Sequence, residues 1–595
     1  MTDKPDYLTL SPASMSKRSL SPQGLPAAKR LHTLHSKPPD NHLSIVDVLY
    51  DELILTILSY LSWFDLCATQ LINRNWARLA VDSELWRRQY ILVFGKPRLR
   101  GARGQPGRFD GREVKPLPSR ARIVDSAYKD WKWMFRISSN WRKGRCSVEE
   151  LPCAAQPEIP QPLETSSNFN RHLLLTGTLT ITASSQPSTG SAIYITSPTE
   201  SCSVVCRSSN GIPCSIMTLT IDQSAPTLDH HRFLSFLSSG DFFCYQIQHN
   251  PLSASRQFQG TIATRRSPSH PVVQAAYHHP LLVTLSRDFT ISLYNVVNEA
   301  LSLTQTLSSF TSFPPVSLVL STPSPSTYKL VLAYAIPVYP RHWTAGATEL
   351  MISGVTMTAN LTPRPSNPDS LHSLTSPSQS QMTVLSTRTA RAVDVPFGWI
   401  DERKLRIMRE QWSRKVNRVA DIQTDGKWVI LAPGDQLAGL GDCLASPDSA
   451  FDSSYPSPIF RTNKLDDIQM NASTASSLHS PTSLQLYRLI FPPHNSVSSS
   501  PPRLSFVRTL HGQTGPVTTL SLADGRCVSL SLNGSIWVWD LEAGTGAEVA
   551  AASLEFINGL AFGPDSEPVK GSVSFDERRL IIAQRDNVVI RRFDV

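Results

Sequence analysis

In the stretch VLYDELILTILSYL, residues Leu53, Ile54, Ile57, Leu58 and Leu61 recur at i, i+1, i+4, i+5 and i+8, which is one side of a helix. Asp51 and Glu52 fall in its first turn, where the helix dipole favours them. A break at Ser62-Trp63-Phe64 leads to Asp65, an N-cap for a second short helix presenting Leu66, Leu71 and Ile72. A third helix is predicted over RNWARLAVDSELWRR, with Trp76, Leu79, Leu85 and Trp86 on its apolar side. Three helices this short bury too little surface to be comfortable alone, so part of their apolar face is expected to belong to a partner. Ala121 to Phe135 reads as a further helix carrying Ile123, Val124, Ala127, Trp131 and Met134.

From residue 165 onward the pattern changes to short runs of Val, Ile, Leu, Thr and aromatics separated by turn clusters, the mark of an all-β array. Strands ending in an aromatic and a polar residue recur at Tyr194, Tyr245, Tyr294, Tyr487, Trp539 and Phe593, with consecutive spacings near 50 residues outside one gap. Such a period fits four-stranded repeats with long hairpins. The gap from Tyr294 to Tyr487 is explained by Ser/Pro/Thr-rich insertions at 356–394 and 440–482. Between them there is room for one unit at about 301–355, and VADIQTDGKWVILAP opens the unit of Tyr487. The count is seven, enough to close a ring without exposed sheet edges. The outermost strand of the last unit is expected from the N-terminal side, near 146–180. The segment 398–416 reads as a basic amphipathic helix, with Ile400, Leu405, Met408 and Trp412 on one side, packed on the rim of the ring.

Composition sharpens this picture. The chain has 595 residues and 45 prolines, so several modules interrupted by disordered stretches are expected. Residues 1–42, without periodicity, read as a disordered tail. Its basic pairs Lys17-Arg18 and Lys29-Arg30 form a weak nuclear-import pattern, and a cytoplasmic or nuclear setting is expected because no long apolar run or signal peptide is seen. Residues 96–145 hold 15 Lys/Arg against four acids, net +11, while the whole chain carries only +9. That stretch suits a charged linker better than a nucleic-acid site, since its tryptophans keep helical spacing. The nine cysteines are scattered without C-x-x-C spacing and signal neither zinc nor a disulfide framework. No phosphate-binding glycine loop, H-E-x-x-H or nucleophile elbow occurs, so no catalytic residue, metal or cofactor is assigned.

Three resemblances complete the reading. Leu49-Tyr50, Ile57-Leu58, Asp65-Leu66-Cys67, Arg74-x-Trp76 and Leu85-Trp86 resemble the F-box, with Tyr50 in place of the usual proline at the adaptor contact. Residues 510–541 resemble a WD repeat, with His511-Gly512 inverted relative to the usual pair and Asn533 replacing the turn aspartate. Asn140-Trp141 through Gly144 and Cys146 is similar to the junction of F-box/WD-repeat proteins. The resemblance implies a mixed architecture: a disordered tail 1–42, a small all-α F-box at 43–94, a basic linker with connector helix at 95–150, and a seven-bladed WD-repeat-like β-propeller at 151–595.

It also implies a function. Leu49, Tyr50, Ile54, Ile57, Leu58 and Leu66 would bind a Skp-type adaptor, and through it a cullin and RING subunit. His511, Ser529, Asn533 and Trp539 would form the structural brace of a WD blade. The chain would then be a non-catalytic substrate receptor of an SCF-type ubiquitin ligase. Its protein substrate would dock on the propeller, where receptors of this class often read acidic or phosphorylated segments. Arg287 and Arg526, both in turns, are the candidate substrate contacts. The competing reading is a propeller scaffold for a signalling, RNA or trafficking assembly, independent of ubiquitin. No membrane partner is expected.

Overall fold

A computed structural model describes residues 49–95, 130–151, 171–224, 230–249, 251–262, 271–297, 300–324, 326–338, 342–354, 382–394, 398–434, 480–492, 501–552, 571–584 and 587–595. The tail 1–42 and most of the basic linker lie outside them.

Among the described residues the N-terminal module has four α-helices where three were expected: α1 (Asp51–Leu58), α2 (Trp63–Thr69), α3 (Arg74–Ala80) and α4 (Ser83–Tyr90), followed by a π-helical turn at Ile91–Gly95. Local capping explains the count. Ser62 caps α2, Asn73 accepts the Trp76 N–H at the start of α3, and Asp82 accepts the N–H groups of Glu84 and Leu85. Asp82 therefore breaks what periodicity alone reads as one helix. Ile54, Leu58, Leu66, Leu79, Leu85 and Trp86 make the core, and the Trp86 indole N–H donates to the Ala80 carbonyl at 2.8 Å.

The connector helix α5 runs from Trp131 to Lys143, later than the predicted Ala121–Phe135, whose first nine residues are outside the described set. Asp130 caps it, and Gly144 ends it in the left-handed region at φ 67°. A Cβ at Gly144 would also lie 2.2 Å from the Glu548 carbonyl oxygen. The helix is a strut of roughly 20 Å at 1.5 Å per residue. Phe135 sits in the core of the helical module, while Ile137 and Trp141 sit in the core of the β-domain. Trp141 stacks on Phe593 with ring centroids 3.6 Å apart.

The rest is a ring of seven four-stranded antiparallel sheets, at 171–206, 216–261, 272–308, 313–391, 419–510, 517–550 and 572–592. The first strand of each blade neighbours the first strand of the next, so these seven strands line the channel. The seventh blade takes its outer strand from Ser147–Leu151, which pairs antiparallel with Asn587–Arg592. The chain thus closes its ring with residues from both sides, as expected. Every aromatic used as the repeat marker belongs to the third strand of its blade or, for Phe593, immediately follows it.

Two boundaries differ from the sequence reading. Ala300–Ser308 closes the third blade, so the fourth begins at Phe313 instead of about 301. Its outer strand, Thr383–Arg391, falls inside the stretch 356–394 read as an insertion, and pairs with His342–Ser353. The sequence TVLSTRTAR looks polar because an outer strand wets one face; its exposure alternates along the strand. Of the second insertion, 440–479 lies outside the described residues.

Strand alternation divides the turns between two faces of the ring. Turns joining first to second and third to fourth strands lie on one face; the remaining turns and the blade-to-blade links lie on the other. The strut meets the first face. The Trp141 indole donates to the Glu577 carbonyl at 2.7 Å, and the Asn140 amide donates to the Phe593 and Val595 carbonyls. The helical module therefore stands on one face and leaves the opposite one uncovered by it.

Candidate functional site

Helix α1 is apolar on two sides, and the structure separates them. Ile54 and Leu58 face inward, with Ile54 only 2 % exposed. Tyr50, Leu53, Ile57 and Tyr60 recur at i, i+3, i+7 and i+10 and form an outward stripe, with Ile57 51 % exposed. Phe64, Leu71 and Ile72 are exposed on the segments that follow. Of the sequence candidates for adaptor contact, Tyr50 and Ile57 lie on this surface. Leu49 is half-buried against the core, and Ile54, Leu58 and Leu66 are core side chains. Those three hold the stripe in place from inside and present no surface to a partner. Leu53, Tyr60, Phe64, Leu71 and Ile72 join the surface without having been candidates. The signal for them is the doubling of apolar positions in LILTIL, more than one buried face can absorb.

The sixth blade holds a brace that keeps Ser529 and Trp539 of the expected four but neither His511 nor Asn533. The Trp539 indole donates to the Ser529 hydroxyl at 2.8 Å, and Ser529 donates to the Gln513 amide oxygen at 3.1 Å. Gln513 also donates to Ser531, which donates to the Gly515 carbonyl. Gln513 thus takes the place expected of His511, which is exposed. Asn533 shapes its own turn, accepting the Ser535 N–H and donating to the Thr514 hydroxyl, and lies outside the brace.

Turns on the face that meets the strut are tied across blades. Asp425 is fully buried and accepts N–H groups of Trp428, Lys427 and, from the next blade, Gly525. Burial pushes its carboxyl above the usual carboxylate range, and those three donors draw it part of the way back. Arg579, paired with Asp576, donates to the carbonyls of Gly177, Thr178 and Leu179 and so fastens the last blade to the first. Such buried ionic groups are fully partnered structural pins.

Arg287 and Arg526 do not form one site. Arg526 begins a second strand on the strut side, and its guanidinium stacks over the Trp141 ring at 4.5 Å. It fixes the strut. Arg287 is exposed in the turn between second and third strands, on the opposite face. Among the described residues, no group of three or more His, Cys, Asp or Glu side chains could hold a metal ion, and the described cysteines form no disulfide. No helix among them is long and apolar enough to cross a membrane.

Residues 51–92 match the family model described as F-box-like, and residues 195–408 match the one described as F-box protein pof12 beta-propeller. The chain thus carries an F-box-like domain followed by a β-propeller similar to that of an F-box protein. An F-box protein of Saccharomyces cerevisiae is 29 % identical over 148 residues, covering 23 % of this chain and 22 % of that protein. F-box/LRR-repeat protein 5 of Xenopus tropicalis is 32 % identical over 80 residues, covering 13 % of this chain and 12 % of that one. The chain thus spans less than a quarter of the length of these curated relatives. Among solved structures, the Cps50 (Swd1) β-propeller domain of Myceliophteria thermophila covers 72 % of this chain and 98 % of its own, with 11 % identity and a TM-score of 0.33.

Proposed function

We propose that this F-box protein is the substrate-recognition subunit of an SCF-type ubiquitin ligase. The outward stripe of α1 takes a Skp-type adaptor, which brings the cullin and RING subunit, and the propeller presents a protein substrate. The observation that carries this reading is the stripe Tyr50, Leu53, Ile57 and Tyr60, left in solvent by a module whose core is already filled. A folded monomer has no use for such a row, whereas an adaptor groove would cover it. The strut then serves geometry: anchored at Phe135 on one side and Trp141 on the other, it fixes the distance between adaptor and substrate. Catalysis by such a subunit is proximity, supplied to a ubiquitin-charged enzyme on the cullin arm.

The test is co-elution of the full chain with recombinant Skp-type adaptor and cullin on size exclusion. A ternary complex is expected. A chain that elutes alone from an excess of adaptor, while its melting curve shows it folded, would contradict the reading.

A further inference from the structure

The face away from the strut carries one feature that ring closure does not require. Between the fourth and fifth blades the chain inserts helix α6, Glu402–Trp412, which is held firmly. Asp401 caps it, and Gln411 and Asp394 exchange two hydrogen bonds of 2.9 Å, side chain to backbone and side chain to side chain. Met408 is buried beneath it, Val416 pairs with Trp343, and the Arg414 guanidinium lies 4.0 Å over the Phe506 ring. The helix is thus a fixed platform.

Its outer side is unsatisfied in two ways. Arg403, Lys404, Arg406 and Arg409 are exposed and form no ion pair among the described residues, while Glu410 is already taken by Arg414. Apolar groups sit among them: Trp399 is 94 % exposed just before the cap, and Ile407 stands one turn from Arg403. At the preceding blade-to-blade link Phe310 is 91 % exposed, and Phe313 packs edge-on against Trp343.

We propose that the outer side of α6, with Trp399 and Ile407 as apolar seats, docks an acidic segment of a partner protein. The segment carries an aromatic or long aliphatic side chain flanked by carboxylates. Charge complementarity selects it, because Arg403 and Arg406 offer planar forks that match carboxylates two hydrogen bonds at a time. A membrane surface fits less well, since Met408 is buried and Trp412 half-buried, which leaves the helix little apolar area to insert. Nucleic acid fits less well because Glu402 and Glu410 interrupt any track for a phosphate backbone. Calling this partner the ubiquitination substrate rests on the receptor reading above; the docking itself does not.

The experiment uses the full chain and fluorescence polarisation of a labelled peptide with one Phe between paired Glu residues. Parallel probes are the same peptide with Gln for Glu, the same with Ser for Phe, and phosphatidylserine vesicles. The wild-type chain is expected to bind the first peptide and to lose at least about tenfold in affinity for either altered peptide, the scale of one lost charge-assisted contact. The R403E/R406E variant and, separately, W399S/I407S should each weaken binding by at least about tenfold on the same grounds, with the melting curve and adaptor binding unchanged. Absence of wild-type binding would overturn the proposal. So would equal binding by the charge-reversed variant, equal binding of the Ser-for-Phe peptide, or preference for the vesicles. Failure of the receptor reading shows separately, as loss of adaptor co-elution by the wild-type chain.

Discussion

Helices α1 and α6 both turn one side to a core and the other to solvent, yet their outer sides differ in kind. On α1 the outer row is apolar and uncharged from Tyr50 to Tyr60; on α6 it is studded with Arg403, Lys404, Arg406 and Arg409. An apolar row has a single use in water, which is to be covered by a preformed groove, and its affinity comes from area. A charged row is content in solvent and recognises rather than adheres. On the proposed function, the first row would hold a constant partner and the second would select among partners.

The comparison breaks most visibly inside the cores. Replacing Leu58 by Ala should destabilise the helical module by about 2–5 kcal/mol, the usual range for a buried leucine, and Trp141→Ala should cost as much as other buried aromatics, about 3–5 kcal/mol. Ile57→Ala, one residue from Leu58, should move stability by no more than about 0.5 kcal/mol because it is a surface change. Denaturant unfolding of the three variants checks this. Equal losses at 57 and 58 would mean that the stripe is a second core rather than a docking row.

Much of this division is legible in the sequence, and what escapes it does so for physical reasons. The third-strand aromatics mark the blades because Tyr245, Tyr294, Tyr487 and Trp539 are buried in the core of their blades, while Tyr194 keeps the strand position but is only half-buried. The strand Thr383–Arg391 escapes notice because an outer strand needs few apolar residues. Ile54 and Ile57 look alike in sequence, since periodicity reports that a helix has apolar sides without saying which one the same chain covers. The motif points to His511; the buried Gln513 two residues on offers both an amide donor and an acceptor, and so bridges Ser531 and Ser529. Arg287 and Arg526 both read as turn residues in the sequence, and only the strand order shows that they lie on opposite faces, Arg526 at the start of a strand.

A smaller effect concerns the pinned face of the ring. The folded pKa of Asp425 lies above its unfolded value, so the folded chain holds its proton more tightly. Its contribution to stability is full below the ordinary carboxylate range and is lost as pH rises through the raised value. Asp425→Asn should flatten that part of the stability curve. It should also cost about 1–3 kcal/mol, because the amide N–H₂ would meet the Gly525 N–H or leave it without its acceptor. Unfolding free energies at several pH values read both effects; an unchanged slope would remove Asp425 from the titration.

The central claim is that the outward row of α1, and not the core behind it, is the adaptor contact. Calorimetric titration of Skp-type adaptor into the full chain and its L53D/I57D variant tests it most directly. Two buried aliphatic side chains at about 1.5–3 kcal/mol each correspond to a loss of roughly 10²–10⁴ in affinity. The predicted result is such a loss with an unchanged melting temperature, while affinity equal to the wild type would contradict it.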